Sequence, residues 1–290
     1  MSNRVRLAAI QMRSGTQPGP NLDALETLVA EAAAGGARYA LTPEVTVAFS
    51  ENPAKLAEVA EPFEGNGALA RVAAIARKHG IFLHLGSLAI ALDGQKFANR
   101  SVLFTPDGQI AATYDKIHLF DATLPGLRDY RESLTYRGGE TAVVADAGAF
   151  RLGMSICYDM RFPALFRALA EAGADVLAVP AAFTVPTGQA HWETLLRARA
   201  IETGSYVIAA AQGGQHENGR ATYGHSTIID PWGKVIAGNS GDAPGVIFAD
   251  YDPALVAEAR GRVPALANAR PFSVKVETAG TARPVEDAAS

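Results

Sequence analysis

The sequence has a single cysteine among its 290 residues, and this scarcity excludes several kinds of site. One cysteine cannot form an internal disulfide bond, and a zinc site built from several thiolates is also excluded. The formal net charge of −4 lacks the basic excess of a nucleic-acid-binding surface. No apolar run approaches the roughly eighteen residues that a membrane helix requires. We therefore expect a reducing compartment, and neither a nucleic-acid nor a membrane partner.

The first residues and the overall composition predict a cytoplasmic globular protein. The apolar stretch 7–10 is far shorter than the core of a signal peptide. The composition, 48 % hydrophobic and 19 % charged, is ordinary for a folded domain. Helix-like and strand-like segments alternate without a linker, which predicts one domain over residues 1–279. Residues 280–290 are polar and are predicted to form a loose tail.

The alternation of short apolar runs with amphipathic segments predicts an α/β fold. Residues 5–12 have the pattern of a buried strand, and a helix follows with Asn21 as its cap and Gly35 near its end. A Pro-Asp-Gly turn at 106–108 predicts two strands on either side of it. Because most strands are apolar on both faces, helices should cover the sheets in layers.

The single cysteine lies in "GMSICYDMRFP", where a predicted strand ends and a helix begins near Pro163. A free cysteine is often an inert core residue. At this position, however, turn N–H groups and a helix N-terminus favour the thiolate and can stabilise an oxyanion. A nucleophilic Cys157 also needs a proton acceptor. Spacing alone selects none of the six histidines, which are His79, His84, His118, His191, His216 and His225.

Two further residues that can carry chemistry stand beside predicted strands. Glu44 follows a strand and a proline in "LTPEVT", so it is either a solvated loop carboxylate or a base. Lys116, in "YDKIHLFD", lies inside an otherwise apolar strand pattern, so it is either an outward-facing lysine or a functional one. Functional groups of layered α/β folds collect at strand ends on one rim. We therefore expect these residues to be close to Cys157.

The three quoted segments, in this order, resemble the nitrilase superfamily of carbon–nitrogen hydrolases. Glu44, Lys116 and Cys157 are 72 and 41 positions apart, and the similarity runs from "AAIQM" to "DYDP". The resemblance implies a four-layer α-β-β-α sandwich of the α/β class. It also implies that no metal or organic cofactor is used, and that the protein is a homo-oligomer, a dimer or larger.

The resemblance further implies a Glu-Lys-Cys triad. Glu44 is the expected general base, Lys116 the cation beside the sulfur and the developing oxyanion, and Cys157 the nucleophile that forms a thioester. The backbone N–H of Tyr158 is the expected second oxyanion donor. A non-catalytic scaffold is disfavoured because all three triad positions carry reactive residue types.

A second glutamate often accompanies the triad in this superfamily. The segment "RDYRESLTYRGGE" resembles the one that supplies it, which makes Glu132 the candidate. Glu140 is nearby but follows two glycines in a predicted turn. Glu132 is expected to orient Lys116 and the substrate amide, and a solvated loop carboxylate is the alternative.

The sequence after Cys157 resembles the Nit subgroup of amidases, and "QHENGRATYGHS" is most similar to its deaminated glutathione amidases. The expected partner is a small anionic 2-oxo acid amide, deaminated glutathione first. The alternative is an ω-amidase acting on α-ketoglutaramate or α-ketosuccinamate, or an amidase of unknown substrate. One departure is "TPEVTVAFS", where Phe49 is the first aromatic after Glu44, so we expect a different pocket wall there.

An anionic substrate calls for a cation that binds its carboxylate. Arg161 is near Cys157 in sequence and is the candidate, whereas a salt bridge with Asp159 or Glu202 is the alternative. Further residues in matching segments are expected to line the pocket, namely Phe183, Thr184 and His225.

Overall fold

Two six-stranded sheets form the centre of the computed structural model, which describes residues 4–94, 96–124 and 129–277. The predicted tail 280–290 lies outside these residues. The strands of the first sheet, in spatial order, are β16 (Gly245–Tyr251), β1 (Val5–Gln11), β2 (Tyr39–Leu41), β3 (Phe82–Ala91), β4 (Phe97–Phe104) and β5 (Ile110–Asp115). Those of the second are β15 (Val235–Gly238), β14 (Thr227–Ile229), β11 (Tyr206–Ala211), β10 (Val176–Ala181), β9 (Arg151–Met154) and β8 (Val144–Asp146). Two small ladders pair β6 (Asp121–Ala122) with β7 (Tyr130–Arg131), and β12 (Gly213–Gln215) with β13 (Ala221–Tyr223).

Helices cover the outer face of each sheet. The first sheet is covered by α1 (Pro18–Ala34) and α3 (Gly67–His79), and the second by α5 (Pro163–Glu171) and α6 (Val185–Thr203). The remaining helices are α2 (Pro53–Ala57), α4 (Glu132–Thr135), α7 (Pro253–Arg262) and a 3-10 helix, Cys157–Arg161. The sheets face each other through contacts of β1 and β2 with β11 and of β3 with β10. This arrangement confirms the α-β-β-α sandwich. Within the described ranges, no helix is long and apolar enough to cross a membrane.

Strand direction brings several chain segments to one rim. In the first sheet β1, β2 and β3 are parallel, and β5 runs in the same direction because both β3 and β5 are antiparallel to β4. In the second sheet β9, β10 and β11 are parallel. The segments after β2, β5, β9 and β10 therefore leave the carboxyl ends of their strands, which is where α/β folds place their sites.

Two local predictions were wrong. Asn21 does not cap α1, which begins at Pro18 after Gln17, because proline at the first helical position lacks the N–H that would be unpaired there. The buried Asn21 side chain instead accepts from the N–H of Gly15 and donates to the carbonyl of Val47. Lys116 lies directly after β5 rather than within it.

A buried histidine in β3 makes the fold sensitive to acid. His84 is fully buried, with Nδ1 2.7 Å from the hydroxyl of Tyr39 and Nε2 2.7 Å from that of Ser101. Burial lowers the pKa of His84 from 6.5 to about 3. Between those values the unfolded chain binds a proton that the folded chain does not. Stability is therefore complete above pH 6.5 and falls as the pH drops, by up to about 1.4 kcal/mol per pH unit.

We expect the free energy of unfolding of His84→Gln to fall less steeply with decreasing pH than that of the wild type. Urea unfolding of both proteins between pH 7 and pH 5 measures this, since the carboxylates that titrate in both proteins cancel in the comparison. The same slope in the two proteins would contradict the buried neutral imidazole.

Candidate active site

Four residues from separate segments meet at the rim. Lys116 Nζ lies 2.8 Å from Oε1 of Glu44, and 3.0 and 2.9 Å from the two carboxylate oxygens of Glu132. The thiol of Cys157 lines the same cavity and is close enough to Glu44 and Lys116 to influence the pKa of each. Lys116, Glu44 and Cys157 are 2 %, 5 % and 8 % exposed. The structure thus brings together the carboxylates, ammonium and thiol that the sequence singled out. We refer to these four residues, Glu44, Lys116, Glu132 and Cys157, as the cluster.

Two contacts besides that of Lys116 hold Glu44 in place. The backbone N–H of Ala182, after β10, donates to its Oε2 at 3.0 Å, and Gln212 Nε2 donates to its carbonyl oxygen at 3.0 Å. The next residue, Val45, has φ 53°, a left-handed conformation that costs a β-branched residue free energy. The surrounding contacts therefore fix a strained loop that points the carboxylate inward.

Replacing Gly86 with alanine is expected to lower kcat/KM at least tenfold and to destabilise the fold by about 1–3 kcal/mol. A Cβ at Gly86 overlaps the carbonyl oxygens of Thr42 and Pro43, which precede Glu44 and cannot move aside as a flexible side chain can. The matched control is Gly245→Ala, a strand glycine with nothing within 4 Å of the added carbon. Steady-state kinetics and urea unfolding measure both effects. Unchanged kinetics in the Gly86 variant would show that the loop tolerates displacement.

Asn99 in β4 contacts two of these four residues, and the sequence did not single it out. Its Nδ2 lies 3.0 Å from Oε1 of Glu44 and 3.2 Å from Oε1 of Glu132, while its backbone carbonyl oxygen accepts from the backbone N–H of Lys116. Because both carboxylates are acceptors, the amide orientation is fixed. The available signal was an asparagine within the largely apolar strand "FANRSVLF".

The turn that carries Cys157 is anchored by Asp159. Asp159 is fully buried and accepts from the N–H of Ile156, the hydroxyl of Tyr114 and Nδ1 of His118, at 2.8, 2.7 and 2.7 Å. Tyr114 and His118 flank the lysine segment, so one carboxylate ties the lysine and cysteine segments together. Cys157 itself has φ 49°, a left-handed conformation typical of functional sites.

The charges of the cluster stabilise one another. Burial disfavours the ammonium of Lys116, but Glu132 and Glu44 outweigh it and raise the pKa of Lys116 well above its usual value. Burial likewise disfavours the carboxylate of Glu44, but Lys116 outweighs it and lowers the pKa of Glu44. At neutral pH both groups are ionised.

The pKa of the Cys157 thiol is raised, whereas the sequence predicted that it would be lowered. Burial raises the pKa of Cys157, the charge of Glu44 raises it further, and Lys116 opposes both without reversing them. With two carboxylates beside one ammonium, a thiolate would add a second uncompensated negative charge. The resting cysteine is therefore a thiol beside an ionised carboxylate that can accept its proton.

A cavity of about 210 Å³ opens above the cluster. Tyr158, Arg161, Phe183 and Thr184 line it, together with all four residues of the cluster. His225 does not. Its Nδ1 faces the carbonyl of Tyr223, and its own carbonyl accepts from Trp192, so the structure places His225 outside the expected cavity lining.

None of the six histidines lines this cavity, which disfavours a histidine as the base. His118 is instead held by Asp159, and its ring stacks on Phe162 with 3.5 Å between centroids. His84 lies between Tyr39 and Ser101 in the sheet.

Arg161 has no carboxylate partner among the described residues. Asp159 bonds to His118, and Glu202 pairs with Arg199, so the predicted salt-bridge alternative is wrong. The guanidinium lies 5.3 Å from the ring centroid of Phe183 and 3.3 Å from Nδ1 of His191. A cation with unused donors thus faces the cavity.

A family model for carbon–nitrogen hydrolases matches residues 6–261. The chain belongs to the carbon–nitrogen hydrolase family. The match confirms the resemblance to the nitrilase superfamily, and it makes this carbon–nitrogen hydrolase an enzyme of the amidase type. Among the described residues, no group of three His, Cys, Asp or Glu side chains is arranged to hold a metal ion.

Relatives of this carbon–nitrogen hydrolase include the deaminated glutathione amidase of Mus musculus, which is 42 % identical over 91 % of this chain and 83 % of that protein. The solved structure of the C. elegans NitFhit protein has a TM-score of 0.84 at 36 % identity, over 93 % of this chain and 66 % of that one. A glutamate-to-glutamine mutant of an amidase from Nesterenkonia sp. AN1 has a TM-score of 0.75 at 28 % identity, over 90 % of this chain and 98 % of that one. That structure contains the product of Michael addition of acrylamide at the active site cysteine.

Proposed function

We propose that this enzyme hydrolyses the amide of a small anionic 2-oxo acid through a thioester on Cys157. The observation that carries the proposal is that the only thiol in the chain is buried on the same cavity as the hydrogen-bonded pair of Glu44 and Lys116. The cysteine adduct in the Nesterenkonia amidase supports a nucleophilic role for the corresponding thiol.

In the first half-reaction, Glu44 takes the proton of the thiol as Sγ attacks the amide carbon. The oxygen of the tetrahedral intermediate gains negative charge, which Lys116 and the backbone N–H of Tyr158 stabilise. When the carbon–nitrogen bond breaks, the leaving nitrogen takes the proton from Glu44. The acyl group then remains on Cys157 as a thioester.

In the second half-reaction, Glu44 takes a proton from water as the water oxygen attacks the thioester carbon. The carbon–sulfur bond breaks, the thiolate regains a proton from Glu44, and a carboxylic acid leaves. Glu132 contacts Lys116 with both carboxylate oxygens, and it also accepts from the backbone N–H of Phe120 at 2.6 Å. It therefore keeps the ammonium charged and in place through both steps.

Arg161 supports an anionic substrate, because its guanidinium is free to form a charge-assisted pair with a carboxylate. Deaminated glutathione carries an α-carboxylate beside its 2-oxo group, and it is the substrate named by the mouse relative. We propose it as the substrate of this enzyme. The alternative remains an ω-amidase that releases ammonia from α-ketoglutaramate.

A two-substrate assay tests the proposal. Purified enzyme is given deaminated glutathione, with cysteinylglycine as the measured product, and α-ketoglutaramate, with ammonia as the measured product; Cys157→Ala is the blank. Preference for the first substrate is expected. Preference for the second would assign the ω-amidase activity, and hydrolysis of neither would overturn the proposed substrate class.

A further inference from the structure

Tyr136 is a polar residue of the cavity lining that the mechanism above does not use. Tyr136 follows α4, is 9 % exposed and lines the cavity. Its hydroxyl makes no hydrogen bond among the described residues, and it is not one of their fully buried unpartnered atoms, so it is open to the cavity. The other enclosed tyrosine near the cluster, Tyr114, donates to Asp159 at 2.7 Å.

The position of Tyr136 is rigid. Its backbone N–H donates to the carbonyl of Glu132 at 2.9 Å, and the next residue, Arg137, donates to the carbonyl of Phe97 at 2.8 Å. Its ring packs on that of Phe97 with 6.2 Å between centroids. The hydroxyl is therefore held beside the cluster without being bonded to it.

This hydroxyl acts as a donor at working pH. Burial, followed by the charges of Glu132 and Glu44, raises the pKa of Tyr136, so the phenol keeps its proton. A fixed, protonated hydroxyl with no protein acceptor fits a ligand oxygen that accepts a hydrogen bond.

The substrate of the proposed function offers three such oxygens near the reacting carbon. In the proposed complex, Lys116 and the N–H of Tyr158 donate to the oxygen of the scissile carbonyl, and Arg161 binds the α-carboxylate. The 2-oxo oxygen is left without a donor. We propose that Tyr136 donates a hydrogen bond to the 2-oxo group and makes the enzyme specific for 2-oxo acid amides, an inference that rests on the proposed function.

A cycle of two enzymes and two substrates tests this role. Deaminated glutathione is compared with glutaryl-cysteinylglycine, which has the same carboxylates and leaving group but no oxo group. Tyr136→Phe keeps the ring and removes only the hydroxyl. We expect it to lower kcat/KM about tenfold for the oxo substrate and less than about twofold for the analogue. Tyr223→Phe, whose ring lies outside the cavity lining, is the matched control and should affect neither.

Two kinetic outcomes would overturn the inference. An equal loss with both substrates would mean that Tyr136 only supports Glu132, and no loss would mean that it does not contact the substrate. Binding provides a readout that needs no turnover: calorimetry on the Cys157→Ala protein compares 2-oxoglutarate with glutarate. We expect Tyr136→Phe to remove most of the preference for 2-oxoglutarate. If the wild type hydrolyses neither amide but this preference is present and depends on the hydroxyl, then the proposed reaction fails while the Tyr136 contact holds.

Discussion

Replacing Cys157 with alanine is expected to abolish amide hydrolysis, lowering kcat by at least about 10⁴-fold. The proposed reaction passes through a covalent thioester, and the chain has no other thiol that can form one. Lys116 and the Tyr158 N–H remain in the variant, but they stabilise an oxyanion only after a nucleophile has attacked. The measurement is cysteinylglycine release from deaminated glutathione under saturating conditions.

The fold is expected to survive this change. Cys157 is a small side chain at the cavity floor, and alanine accepts the same left-handed backbone at a similar cost. Urea unfolding should therefore differ from the wild type by less than about 1 kcal/mol. Cys157→Ser, which keeps the volume but replaces the thiol with a poor nucleophile, is the matched control and should also be inactive. Activity within tenfold of the wild type in either variant would contradict the thioester.

The elements of the fold were predictable because their signals are local. The apolar run that became β1, the leucines of α1 and the Pro-Asp-Gly turn between β4 and β5 each act within one segment. The cap of α1 was misjudged because the side chain of Asn21 binds outside the helix: it bonds to the Gly15 backbone, six residues earlier, and to the carbonyl of Val47 in the distant loop that carries Glu44.

The candidate site was predictable only where a residue type carries chemistry by itself. Cys157, Glu44 and Lys116 were found because thiols, carboxylates and amines at strand ends suggest reactions. Asn99 was missed because its role depends on strand register, which places its side chain between two carboxylates.

The pKa of the thiol was misjudged for a related reason. The turn N–H groups near Cys157 suggested a thiolate, since they are visible in the local sequence. The opposing influences are burial and the charge of Glu44, which comes from 113 positions earlier in the chain. Such an excess of negative charge is set by tertiary structure and cannot be counted from one segment.

Replacing Glu44 with glutamine is expected to lower kcat/KM by about 10²–10⁴-fold, the usual contribution of a general base. Glutamine has nearly the same shape but accepts no proton from the thiol or from water. The wild type should lose activity as the pH falls through the pKa of Glu44, which Lys116 holds below 4.5, because protonation removes the base. Glu44→Gln should lack this acid limb. Kinetics from pH 7 downward, over the range in which the protein stays folded, measure the difference.

The control is Glu140→Gln, which replaces an exposed carboxylate outside the cavity lining. It should keep the wild-type rate and the same loss of activity at low pH.

Glu44→Gln should lower the rate of hydrolysis, but it should make the thiol of Cys157 easier to deprotonate. Apart from burial, the charge of Glu44 is what raises the pKa of Cys157, so its removal leaves Lys116 to favour the thiolate. We therefore expect iodoacetamide to alkylate Glu44→Gln at pH 7 at least as fast as the wild type, although turnover has collapsed. Mass spectrometry of the modified protein measures the rate. Alkylation that falls in proportion to turnover would instead mean that glutamine had displaced the cysteine, and that Glu44 holds the site together rather than moving its protons.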